Sequence, residues 1–216
     1  MSPNFDDRPS PIDMLVLHYT GMKTAAAAIE RLCDPAAKVS SHYVVDEDGT
    51  VVQLVEEQKR AWHAGVSFWR GRRGLNDGSV GIEIVNPGHE WGYRAFPLRQ
   101  MAAVRDLCVA IISRHGILPH KVVGHSDIAP DRKQDPGELF DWRYLAEAGV
   151  GVWTDEFAAS ADVAADLAAI GYDMALPWRD VVTAFQRHFL PDAVTGAASE
   201  RMARRAAAVA GLMGQR

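Results

Sequence analysis

Cysteine is scarce in this chain: two in 216 residues, too few to staple a fold. Cys33 and Cys108 lie far apart in helix-like contexts and read as buried free thiols, as in a reducing compartment. No apolar run approaches membrane-spanning length, which excludes a helical membrane span. The opening residues, Met1 to Pro11, are polar and carry Asp6, Asp7 and several prolines. They hold neither the basic nor the apolar stretch of a secretory signal, so a cytoplasmic protein is expected. Excess positive charge is also missing: the net charge of -5 argues against nucleic acid as a partner. Arg70, Arg72 and Arg73 form one local basic cluster, either a solvated loop or a contact for an anionic substrate. What the chain does have is hydrophobic residues, 48% of the total, enough for a packed core. Its length allows one large domain, or one domain plus a small second one.

Residues 12–18 are a short apolar run that reads as a buried strand, with His18 near its end. Thr24 is placed to cap a helix through Ala25-Ala26-Ala27-Ala28 toward Leu32, broken at Asp34-Pro35. Residues 41–45 and 50–55 flank Asp46-Glu47-Asp48-Gly49, a hairpin signal. Residues 80–85 read as a central strand stopped by Asn86-Pro87-Gly88. Met101, Val104, Leu107, Cys108 and Ile111 follow helical spacing over residues 98–114, and Gly116 ends that helix. Residues 121–125 read as a further strand. Strands and helices mix without strict alternation, which predicts an α/β (α+β) fold with a mixed central β-sheet and flanking helices. From about Gly149 the composition turns rich in alanine, and helices are expected over 157–170, 178–188 and 198–213. The expected organisation is a first domain over 1–148 and a small all-α domain over 149–216.

The chemistry-bearing residues cluster in a few segments. His18 closes one apolar strand and His125 another; Asp135 follows ten positions later. Two imidazoles and a carboxylate are a ligand set known for catalytic zinc, whose fourth position stays open for water. Asp127 and Asp131 lie in the same loop as Asp135, and spacing does not choose among the three. Glu83 sits in the otherwise apolar Val80-Gly81-Ile82-Glu83-Ile84-Val85, where burial raises a carboxyl pKa and suits it to general-base work. Alternation puts Gly81, Glu83 and Val85 on one face, with Ile82 and Ile84 in the core. The bland alternative is a glutamate on the solvent face of an edge strand. Lys133, two residues before Asp135, is either a solvated loop charge or a group within reach of a developing oxyanion. His63, between Trp62 and Ala64-Gly65, is a cleft candidate, whereas His42 reads as structural.

These segments, together with Ser41-His42-Tyr43-Val44-Val45, Asp48-Gly49-Thr50, Ala61-Trp62-His63-Ala64-Gly65 and Phe140-Asp141-Trp142, resemble the type 2 N-acetylmuramoyl-L-alanine amidases, the AmpD/AmiD-like zinc enzymes of peptidoglycan turnover. The resemblance covers roughly residues 12–145. It implies Zn2+ held by His18, His125 and Asp135, Glu83 as general base, and Lys133 stabilising the tetrahedral intermediate. The implied reaction is hydrolysis of the amide between N-acetylmuramic acid and L-alanine of the stem peptide, either in the 1,6-anhydro form of the recycling enzymes or, as the C-terminal match suggests, in intact murein. The partner is then a muropeptide or peptidoglycan fragment. The resemblance also implies substrate contacts: Lys38 occupies the place of a basic residue, and Asn76 and Ala129 match the pattern. A further arginine of the recycling subgroup falls on Gly74, with Arg73 adjacent. That subgroup carries asparagine where this chain has Tyr19. Residues 182–189, followed by Gly196, look like the small three-helix peptidoglycan-binding domain. A competing expectation is a peptidoglycan recognition module without catalysis, as in relatives of this fold that have lost zinc ligands.

Overall fold

A computed structural model describes residues 1–214. After a short β1 (Phe5–Asp7) the chain enters β2 (Met14–Tyr19). Leu15, Val16 and Leu17 are all fully buried there, because a strand covered on both faces needs an unbroken apolar run. Thr24 caps α1 (Ala25–Cys33) by accepting the Ala27 N–H at 3.2 Å. β3 (Tyr43–Val45) and β4 (Val51–Gln53) form the expected hairpin, with Gly49 at φ 89 in its turn. β5 (Lys59–Ala61) pairs with β1, and β6 (Phe68–Trp69) with β7 (Arg72–Arg73) in a small ribbon. Then follow β8 (Ser79–Ile84), a single turn α2 (Gly88–Trp91), α3 (Leu98–His115), β9 (Val122–Gly124), and two short helices α4 (His125–Ile128) and α5 (Trp142–Ala146). Gly116 stops α3 at φ 66, donating its N–H to Ile112.

The main sheet has the order β4-β3-β8-β2-β9, with β3, β8, β2 and β9 parallel and the edge strand β4 antiparallel. This is the mixed sheet that the sequence predicts. Period-two alternation divides the strand residues between its faces. Leu15, Leu17, Ile82 and Ile84 pack against Met101, Val104, Cys108 and Ile111 of α3. Met14, Val16 and Val123 face the other way, into one cluster with Leu167, Phe185 and Val209. Those residues come from α6 (Val163–Ile170), α7 (Trp178–Phe189) and α8 (Glu200–Gly214). The C-terminal helices thus share a core with the sheet. No helix among the described residues is long and apolar enough to cross a membrane.

Two expectations need adjusting. The helix expected over 157–170 starts only at Val163, because Asp162 accepts the N–H groups of Ala164 and Ala165 at 2.9 and 3.3 Å and fixes the start there. Upstream, Ala158 donates its N–H to the Arg204 carbonyl at 3.0 Å, and the Phe157 ring lies under the guanidinium of Arg205. Tertiary contacts override alanine's helix propensity in that stretch. The strand expected over 121–125 is shorter, and His125 is the first residue of α4.

Candidate metal centre and active site

Parallel sheets present side chains at the carboxyl ends of their strands, where loops leave the fold. β2 delivers His18 there, the β9–α4 junction delivers His125, and the loop beyond α4 delivers Asp135. The Nδ1 atoms of His18 and His125 are 2.9 Å apart, and Asp135 Oδ2 lies 3.1 and 3.0 Å from them. All three residues are buried.

The partners behind the rings settle which nitrogens carry protons. Ser79 donates its hydroxyl to the Leu75 carbonyl at 2.7 Å, so its oxygen accepts from His63 Nε2–H at 3.1 Å. His63 Nδ1 is then a lone pair and accepts from His18 Nε2–H at 3.0 Å. His125 Nε2–H points at the Ala64 carbonyl, 3.3 Å away. With both imidazoles neutral, the two Nδ1 atoms are unprotonated, and they face a carboxylate oxygen that only accepts. Three lone-pair donors about 3 Å apart, with no proton among them, repel one another unless a cation lies between. Their spacing approaches the edge of about 3.3 Å expected for a tetrahedron with metal bonds of about 2 Å. The donor set fits a divalent metal. Burial, with His125 alongside, pushes the His18 imidazole down to about 4, keeping it in the neutral form that binds metal.

Glu83 stands beside this cluster because the parallel register of β2 and β8 pairs it with His18. Its Oε2 is sealed from solvent and has no hydrogen-bond partner among the described residues. Burial pushes its pKa well above the ordinary value, Asp135 adds to the effect and Lys133 opposes it. The residues open onto a cavity of about 360 Å³ whose walls include Tyr19, Trp62, Arg132, Lys133 and Gln134.

The other candidates have distinct places. Lys38 lines an adjoining cavity of about 250 Å³ that also includes Asn76, Arg132 and Lys133. Asn76 Oδ1 accepts the backbone N–H groups of His63 and Ala64 at 3.1 and 2.7 Å, fixing the segment behind His18. Ala129 is buried, and its carbonyl accepts the N–H groups of Arg132 and Lys133, shaping the turn that carries Lys133. Arg73 lines neither cavity; it pairs with Asp173 at 2.8 Å over the Phe68 ring. Asp131 is exposed. Asp127 turns away from the cluster and accepts from Tyr172, His188 and Gly124.

Sequence reasoning missed the part of Ser79 behind His63 and Arg132 in the cavity wall. It also missed why residue 81 is glycine. A Cβ there would lie 2.5 Å from His63 Cγ, so the imidazole reaches His18 only over a bare backbone. Glycine inside a strand was the available signal, since it marks close approach. Gly81→Ala is expected to displace His63 and weaken divalent-metal binding 10- to 100-fold, the usual cost of disturbing a ligand's support. Competition against a chromophoric chelator measures it, and unchanged affinity would refute the His63 role.

His42 lies next to this relay. Its Nδ1 accepts the Gly81 N–H at 2.9 Å and its Nε2–H donates to the Lys59 carbonyl at 3.0 Å, leaving no room for a second proton. Burial depresses its pKa to about 4. The unfolded chain, with a histidine pKa near 6.5, binds more protons between these values, so stability is lost as pH falls from about 6.5 through 4. Between pH 7.5 and 5 this group should remove about 2 kcal/mol. Urea unfolding at both pH values, compared with His42→Asn, checks it: the variant should lose that part of the pH dependence.

Comparison with known proteins supports the assignment. The Amidase_2 family model, N-acetylmuramoyl-L-alanine amidase, matches residues 8–138. N-acetylmuramoyl-L-alanine amidase AmiD of Escherichia coli (strain K12) is 38% identical, over 87% of this chain and 78% of that protein. 1,6-anhydro-N-acetylmuramyl-L-alanine amidase AmpD of Haemophilus influenzae is 34% identical, over 67% of this chain and 88% of its own length. The solved complex of E. coli AmiD with the substrate anhydro-N-acetylmuramic acid-L-Ala-D-gamma-Glu-L-Lys superposes with a TM-score of 0.84 at 36% identity, covering 98% of this chain and 94% of that one. With a mixed sheet of the same fold and a buried His-His-Asp cluster at its strand ends, the chain belongs to the Amidase_2 family of N-acetylmuramoyl-L-alanine amidases.

Proposed function

We propose that the chain is a zinc-dependent amidase that cleaves the amide between 1,6-anhydro-N-acetylmuramic acid and L-alanine of the stem peptide. The observation that carries this reading is the convergence of three metal-ligating side chains, His18, His125 and Asp135, beside Glu83, whose buried Oε2 has no hydrogen-bond partner among the described residues, in a cavity. Zinc suits two imidazoles and one carboxylate, and when bound supplies a Lewis acid and an acidified water. Glu83 takes the proton of the attacking water and passes it to the departing L-alanine nitrogen. Its raised pKa matches both halves of that task. The Lys133 ammonium faces the carbonyl oxygen as negative charge grows there, a stabilisation worth several kcal/mol in other enzymes. Lys38 and Arg132 at the adjoining cavity suit stem-peptide carboxylates. The substrate in the related AmiD complex is an anhydromuramyl tripeptide, which supports the anhydro form.

We read 149–216 as a peptidoglycan-binding-like helical domain joined to an amidase domain over 1–148, its last two residues lying outside the described ones. Two unpaired cysteines, Cys33 and Cys108, suit a cytoplasmic setting, and cell fractionation tests it.

The direct experiment incubates purified protein with anhydro-N-acetylmuramyl tripeptide, with and without chelator, and follows tripeptide release by mass spectrometry. Release that chelator stops and zinc restores is expected. Chelator-resistant release would end the metal mechanism. A zinc-loaded protein that releases nothing would point to polymeric murein as the substrate, and a protein that neither binds metal nor releases peptide would favour the recognition module.

A further inference from the structure

The two histidine ligands are not held alike. His18 is backed by a continuous relay through His63 and Ser79 to the Leu75 carbonyl, with steps of 3.0, 3.1 and 2.7 Å. Behind His125, among the described residues, Nε2 meets the Ala64 carbonyl alone, 3.3 Å away. Its position depends instead on the turn that carries it. In that turn Asp127 Oδ2 accepts the Gly124 N–H at 2.8 Å, bracketing His125 between the two residues. Ser126 donates its N–H to the Asp135 carbonyl at 2.8 Å, tying the same turn to the third ligand's backbone.

What holds Asp127 comes from the C-terminal helical region: Tyr172 in the connection between α6 and α7, and His188 in α7. Tyr172 donates its hydroxyl to Oδ1 at 2.7 Å, and His188 Nδ1–H donates to Oδ2 at 2.7 Å. Asp127 is 1% exposed, Tyr172 2% and His188 4%. The His188 ring is stacked on Trp142, 3.9 Å between centroids, so it has one orientation in which to donate. Both carboxylate oxygens are thereby occupied, and Asp127 cannot turn toward the metal cluster as a competing ligand.

We infer that Tyr172 and His188 are positioning residues for the metal centre: acting through Asp127, they fix the turn that aims His125, so that the C-terminal helices set metal affinity. The inference rests on the metal-site reading above. It gives the helices a part in the chemistry that is independent of any contact with glycan.

The test is zinc affinity by chelator competition, the absorption spectrum of the cobalt-substituted protein, and thermal unfolding of the metal-free protein. Tyr172→Phe removes one oxygen and is expected to weaken zinc binding about 10-fold; His188→Leu should weaken it 10- to 100-fold, the range for supports of metal ligands. Both should shift the cobalt spectrum. His188→Asn, whose amide nitrogen can stand where Nδ1 does, should restore most of the affinity. Val209→Ala, in the C-terminal core and without contact to Asp127, should lower the unfolding temperature and leave zinc affinity unchanged. Should His188→Leu fail to fold, Tyr172→Phe decides. Native affinity in Tyr172→Phe, or a loss in Val209→Ala as large as in the other two, overturns the inference. A wild-type protein that binds no zinc overturns the metal-site reading and this inference with it.

Discussion

Glu83→Gln is expected to lower turnover about 10²- to 10⁴-fold while metal content stays at the wild-type level, the range over which a positioned general base acts. The substitution keeps the volume and planarity of the side chain, so the strand and its register with His18 are undisturbed. It removes only the ability to take a proton. Oε2 has no hydrogen-bond partner in the fold, so no structural bond is lost with it. Release of tripeptide from anhydromuramyl tripeptide measures the rate, and metal analysis of the same preparation measures the zinc. A near-native rate would remove Glu83 from the mechanism. Loss of zinc together with activity would make it a ligand.

The second large effect is on stability. Asp127→Ala should destabilise the protein by about 3–5 kcal/mol, the cost of removing one partner from a buried charged cluster. Three donors lose their acceptor at once: the Tyr172 hydroxyl, His188 Nδ1–H and the Gly124 N–H. No solvent reaches them, and each unpaired buried donor costs about 1–3 kcal/mol. Urea unfolding in the presence of chelator reads the effect free of any contribution from bound zinc. A loss below about 1 kcal/mol would mean that water or a neighbouring carbonyl takes over, and that the cluster does not bind the C-terminal helices to the sheet.

The strand elements were legible because their signals are local. Leu15-Val16-Leu17 is apolar without alternation, and burial on both faces of a parallel strand requires that. Thr24 and Gly116 mark helix ends through capping chemistry that depends on a few neighbouring residues. The helix start at Val163 was not legible in composition. Alanine propensity is weak, well under 1 kcal/mol per residue, and contacts with α8 outweigh it around Phe157.

For the site, the sequence by itself determined the chemical inventory: two histidines at the ends of apolar strands, a carboxylate inside a third, and a lysine two residues before an aspartate. It did not determine which carboxylate completes the cluster. Asp127, Asp131 and Asp135 lie within nine positions in one loop, and their local contexts do not distinguish them. Only the path of that loop does so, turning Asp135 toward His18 and His125, Asp127 toward Tyr172 and His188, and Asp131 into solvent. The tertiary structure likewise decided that His63 stands behind His18, which a bare backbone at Gly81 permits, and that helices beginning after residue 160 share a core with the sheet. The physical reason is common to these cases. Strand and cap signals act between neighbours in the chain, whereas the orientation of a ligand is set by side chains that meet only when distant segments pack.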